Sequence, residues 1–150
     1  MKPARAIFKT LFPAIFLSIS LVAGTVSAAP YSNQKVVYHI NYGDERRVAD
    51  TFVNMSNHIE ELGEDKLEIK AVVHGRAIEY FIQAQQDESK QMTLDSLRLR
   101  GVQFLICGNT LTGYKVERDA LYEVEEEDIV KAGLPALVDL QQKGFIYVRP

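Results

Sequence analysis

The sequence predicts an α/β domain: a mostly parallel sheet with helices on both faces. Three observations carry this. Short β-branched and apolar runs recur along the chain and alternate with segments of helical period. Such alternation marks parallel strands joined by crossover helices. The length, 150 residues, suits one domain. A composition of 47% hydrophobic and 25% charged residues excludes a disordered or collagen-like chain. A single cysteine excludes an intrachain disulfide framework.

Residues 1–28 read as a secretory signal peptide. Lys2, Arg5 and Lys9 form a basic start, Leu11–Ala23 is almost wholly apolar, and Val26-Ser27-Ala28 supplies the small-x-small cleavage pattern. The apolar run of 13 residues is shorter than the ~20 a spanning helix needs. The expectation is a cleaved leader and a periplasmic or secreted domain over residues 29–150, with no membrane contact afterwards. Loss of three basic charges takes the net charge from −3 to −6. An acidic domain gives no electrostatic case for nucleic acid or for an anionic membrane.

Lys35–Asn41 is a β-branched and aromatic run and reads as the first strand. Arg46–Gly63 follows as a helix, with Val48, Phe52, Met55, Ile59 and Leu62 on one apolar face and Gly63 as the stop. Lys66–Val73 is a second strand and Arg76–Ala84 a short helix. Gln85–Ser89 is a polar loop. Lys90–Arg100 is a further helix whose apolar residues are Met92, Leu94, Leu97 and Leu99. Val102–Cys107 is nearly all apolar, as expected of a strand covered on both faces. Thr112–Leu121 is expected to hold a short helix and Asp128–Ala132 a short fourth strand. Leu134–Lys143 is a helix with Pro135 in its first turn and Gly144 as its stop. Phe145–Val148 is the fifth strand. The run Glu123–Asp128 is most simply a solvated acidic face.

Sheets of this kind place ligands beyond the carboxyl ends of their strands. The first strand ends at His39-Ile40-Asn41, the second runs into His74-Gly75, and the third ends at Cys107-Gly108-Asn109-Thr110. Cys107 therefore ends a strand ahead of what reads as a tight turn, with Asn109 or Thr110 as helix cap. Free N–H groups in such a place lower a thiol pKa and favour a nucleophilic thiolate. Buried free cysteine is equally often packing, and the residues leave the two roles open. His74 precedes Gly75 at a strand-to-helix turn. It is either a surface loop histidine or a proton donor and partner of a thiolate, since imidazole titrates near working pH. His39, inside its strand, reads as a buried, hydrogen-bonded histidine, and His58 as structural without an evident partner. His39, His74 and Cys107 could make a zinc set, but no pair shows chelate spacing, so neither metal nor cofactor is expected. There is no Gly-x-Ser-x-Gly and no glycine-rich phosphate loop.

Val36–Asn41, Asp50–His58, Ile69–Gly75 with its Val-His-Gly, Gly101–Thr110 with its Cys-x-Asn-Thr, and the closing Gly133–Pro150 together resemble the DsrE/DsrF-like sulfur-relay family. The resemblance implies a three-layer α/β/α sandwich with a parallel five-stranded sheet, and a homo-oligomer, commonly a trimer or hexamer. It implies a persulfide carried on the cysteine matching Cys107, with His74-Gly75 in the neighbouring loop. On that reading, Cys107 is the nucleophile and His74 assists proton movement. The backbone N–H groups of Gly108, Asn109 and Thr110 steady the sulfur, while Asn41 and Asn109 orient substrate. The implied partner is a small sulfur compound or a sulfur-carrier protein. Two other readings stay open: a non-catalytic oligomeric module that binds a small ligand in the strand-end crevice, and a metal- or haem-associated accessory protein.

Overall fold

The computed structural model describes residues 31–150. The signal peptide expected over residues 1–28 lies outside them. The strands are β1 (Gln34–Ile40), β2 (Leu67–Val73), β3 (Gln103–Cys107), β4 (Ile129–Val130) and β5 (Ile146–Val148). The helices are α1 (Glu45–Leu62), α2 (Ile78–Gln83), α3 (Glu88–Leu99), α4 (Gly108–Tyr114) and α5 (Gly133–Gln142). All strand pairs are parallel, and the sheet order is β4-β3-β2-β1-β5. The chain moves outward from β1 to β4, then returns across the sheet through α5 to place β5 on the other side of β1.

Local chemistry sets the element boundaries. Asp44 caps α1 by accepting from the Arg47 N–H at 3.2 Å, and Gly63, with φ +88°, ends it. Asp87 accepts from the N–H groups of Ser89 and Lys90, so α3 begins inside the polar stretch expected to be loop.

One face of the sheet carries α1, α2, α3 and α4. Val36, Tyr38 and Ile40 of β1, Ile69, Ala71 and Val73 of β2, and Phe104 and Ile106 of β3 pack there against Val48, Phe52, Met55 and Ile59 of α1. Phe104 is held edge-to-face by Phe52 at 5.8 Å and by Phe81 at 5.3 Å between ring centroids. The other face carries α5 alone, where Leu137 and Leu140 with Phe145 cover Val37, Val72 and Leu105. The molecule is a three-layer α/β/α sandwich with unequal layers.

Three expectations are corrected. On α3, Leu94 and Leu97 are buried, but Met92 and Leu99 are 73% and 86% exposed. Seven residues apart, these two share the outward face. The helix expected over 112–121 begins earlier, at Gly108, and gives way to a single 3-10 turn at Arg118–Ala120. His58 has partners: its Nδ1 meets the Tyr38 hydroxyl and its Nε2 meets Gln34 Oε1, both at 2.9 Å. The acidic run is solvated as expected, with Arg118 pairing to Glu125 at 3.6 Å.

Phe52 is fully buried at the centre of this aromatic set. Phe52→Ala is expected to cost about 3–5 kcal/mol, read as a lower urea midpoint at unchanged slope.

Candidate functional site

Parallel pairing brings three strand ends into one rank. Ile40 pairs with Val73 and Val73 with Ile106, so the next residue of each chain segment, Asn41, His74 and Cys107, lies at the carboxyl edge of the sheet. The His74 N–H donates to the Ile40 carbonyl at 3.0 Å and extends the ladder by one bond. Counting back in steps of two, these residues share the α5 face with His39, Val72 and Leu105.

Cys107 is 6% exposed. Its backbone is extended and it occupies the N-cap position of α4, so Asn109 and Thr110 lie inside the helix and neither is its cap. Its Sγ accepts from the Gly133 N–H at 3.1 Å. Burial pushes the thiol pKa up. The Thr110 hydroxyl, the Gly133 N–H and the N–H groups of Thr110 and Asn109 outweigh this and hold it below its ordinary value. The reason is that hydrogen bonds to the charged form favour that form. The thiolate is thereby favoured inside a largely desolvated pocket.

Glycines bring the parts close. A Cβ on Gly133 would stand 3.3 Å from the Cβ of both Cys107 and His74, so both side chains pack against the start of α5. A Cβ on Gly108 would stand 3.2 Å from the Val130 carbonyl. Gly75 sits at φ +60°, in a region glycine enters without strain, and its N–H donates to Thr110 Oγ1 at 3.0 Å. That bond ties the turn after β2 to the first turn of α4.

His74 is half-buried and belongs to a longer series. Its Nε2 lies 2.6 Å from His39 Nε2, and His39 Nδ1 lies 2.6 Å from the Tyr147 hydroxyl. The two rings are nearly parallel, with centroids 4.8 Å apart. Burial lowers the His39 pKa to about 4, helped by His74 and Arg149. Burial, with Arg149, also lowers that of His74. Both rings are therefore neutral at neutral pH. Arg149 donates to Asn41 Oδ1 at 2.8 Å, and its guanidinium lies 5.0 Å from the Tyr42 ring centre.

The structure thus gathers Cys107, His74, Gly75, Gly108 and Thr110, with Asn41 one strand further along. Asn109 is exposed, and its side chain makes no hydrogen bond among the described residues. Gly133, Tyr147 and Arg149 also belong to the site, and no local sequence signal marks them. They come from α5 and β5, and only the strand order places those elements beside β1. No group of three or more His, Cys, Asp or Glu residues able to hold a metal occurs among the described residues.

A neutral His39 carries a pH signature. Its folded pKa of about 4 lies below the ordinary 6.5, so between these values the unfolded chain binds more protons than the folded one. Stability therefore falls as pH falls through that window. In His39→Gln the fall in urea midpoint between pH 6.5 and 4 is expected to be shallower than in the native protein.

The comparisons agree with this architecture. A protein of unknown function from Methanobacterium thermoautotrophicum, MTH1491, is a solved structure similar to this chain. It has 28% sequence identity and a TM-score of 0.68, covering 79% of this chain and all of its own. No curated protein matches the chain. The DsrE/DsrF-like family model matches residues 34–150, from the first strand to the last residue of the sequence, and on that match the chain belongs to the DsrE/DsrF-like family.

Proposed function

We propose that this protein is an exported member of its family that binds or relays sulfane sulfur as a persulfide on Cys107. The single observation that carries the reading is the thiol itself: held below its ordinary pKa by Thr110 and Gly133, beside His74. A nucleophilic sulfur with a pKa near ambient pH suits sulfur exchange. The Cys107 thiolate forms a bond to the outer sulfur of a polysulfide or thiosulfate. The donor's sulfur–sulfur bond breaks, and its electron pair leaves with a thiolate or with sulfite. His74 moves the accompanying proton, the N–H groups of Gly108–Thr110 steady the negative sulfur, and Asn41 with Asn109 orients the donor. Export rests on the leader read at residues 1–28.

Intact mass of the mature protein before and after exposure to polysulfide is the direct test. The expected result is a gain of one sulfur atom, removed by a reducing thiol and missing from Cys107→Ser. Retention of the unmodified mass under saturating donor would overturn the reading. The burial of Cys107 favours a second reading, in which the sulfur only packs and the crevice binds a ligand. On that reading Cys107→Ser binds and functions like the native protein.

Self-association is part of the proposal. Leu134 and Val138, one turn apart on α5, are 62% and 53% exposed, and Ile146 of β5 is 61% exposed. Leu134 and Val138 lie on the side of the sheet that carries one helix, where a second copy would cover them, while Ile146, paired with Val36, borders the other face at the sheet edge. Sedimentation is expected to show a trimer or hexamer, and Leu134→Glu with Val138→Glu is expected to yield the monomer.

A further inference from the structure

We infer that Tyr147, His39 and His74 form a proton wire that connects the Cys107 pocket to solvent, with Tyr147 and His39 acting as positioning residues through His74. The inference rests on the reading of Cys107 as a sulfur nucleophile and assigns it the path of its proton.

The geometry constrains the protons strongly. Two ring nitrogens 2.6 Å apart share one hydrogen, so one donates and the other accepts. The phenol at His39 Nδ1, also at 2.6 Å, accepts in one state and donates in the other. Two neutral arrangements satisfy every bond. In the first, His74 carries its hydrogen on Nε2 and gives it to His39, and His39 gives its Nδ1 hydrogen to the Tyr147 oxygen. The phenol hydrogen then points to water. In the second, Tyr147 donates to His39 Nδ1, His39 donates from Nε2 to His74, and His74 carries its hydrogen on Nδ1. The two rings always hold opposite tautomers.

The passage from the first state to the second is one proton in and one proton out. A hydrogen arriving at His74 Nδ1 displaces the Nε2 hydrogen to His39, which displaces its Nδ1 hydrogen to Tyr147, which releases its own to water. Charge balances and no imidazolium remains. His74 Nδ1, the entry point, makes no protein hydrogen bond among the described residues. Tyr147, the exit, is 41% exposed. The inferred path runs from Cys107 to His74 Nδ1 through water, the two side chains being neighbours on Gly133.

The surroundings fit a neutral wire. Arg149 is the charged group acting on both rings and disfavours their protonation. Asn41 of β1, Cys107 of β3 and Gly133 of α5 also line this edge, and among the described residues neither ring is hydrogen-bonded to a carboxylate. A histidine charged by the thiol proton would pair with the Cys107 thiolate but be opposed by Arg149, whereas a wire carries the proton away.

Two measurements test the inference, the first of which does not involve sulfur chemistry. Long-range proton–nitrogen correlation spectra of the histidine-labelled native protein at pH 7 are expected to show His39 and His74 neutral and in opposite tautomers. Identical tautomers, or a charged ring, would overturn the wire while leaving the persulfide reading intact. The second is the rate of sulfur loading from polysulfide. His39→Gln keeps a hydrogen-bonding side chain but cannot pass a proton. Its loading rate is expected to fall about tenfold near pH 7, toward the low end of a general acid–base contribution. The deficit is expected to close at alkaline pH, where the thiol ionises without help. Tyr147→Phe is expected to show a smaller deficit with the same pH dependence. A deficit equal at all pH values, or none in His39→Gln, would overturn the wire. Failure of the native protein to load at all would overturn the sulfur reading instead.

Discussion

Everything at the carboxyl edge depends on the in-phase register of the three central strands. Because β1, β2 and β3 pair Ile40, Val73 and Ile106 in one row, the residues just past them are neighbours despite separations of thirty or more positions in sequence. A slip of one residue in β2 would turn His74 to the other face and bring Val73 in its place. Burial of both faces prevents that slip. Ala71 and Val73 are locked against the four-helix layer while Val72 is locked under α5. The site thus inherits its precision from the core, without needing stiff loops of its own.

Burial and hydrogen bonding oppose each other at this edge, and the balance differs from residue to residue. At Cys107 desolvation acts against the thiolate, yet donors from two elements, Thr110 of α4 and Gly133 of α5, reverse the outcome. At His39 and His74 desolvation acts against the imidazolium, and Arg149 adds to it. The same dry environment therefore yields an ionisable sulfur beside two neutral rings. This pairing follows from which donors face which atom, since an acid and a base respond to burial with opposite signs of charge.

The fold was largely legible because its signals are local. The β-branched run at Lys35–Asn41, the four-and-three spacing of Val48, Phe52, Met55 and Ile59, and the apolar Val102–Cys107 each specify an element without reference to the rest. The rank of Asn41, His74 and Cys107 was also legible, because parallel strands carry their ligands at one edge. Less could be read where long-range packing decides. Met92 and Leu99 look like core but face outward, because Leu94 and Leu97 already fill the space under α3. Gly133 reads as the residue before a helix, and nothing in its neighbours in sequence announces that its N–H meets a sulfur 26 positions earlier. Tyr147 and Arg149 sit beside β1 only because the chain returns across the sheet, a choice of strand order that no short motif records.

The lone helix on the second face has a consequence for how the site is wetted. Along that face the strands grade from Lys35 and Glu68, an exposed ion pair at 3.0 Å, through Val37, Val72 and Leu105, to His39, His74 and Cys107. Water is kept from the last group by one layer, α5, whose outer side chains Leu134 and Val138 are themselves exposed. Anything that covers α5 thickens the one layer that insulates the site on that side among the described residues, and lowers the local dielectric around the sulfur and both rings. The polarity around Cys107 and the covering of α5 are in this way two aspects of a single electrostatic boundary, set by how many layers of hydrocarbon separate the sheet edge from bulk water.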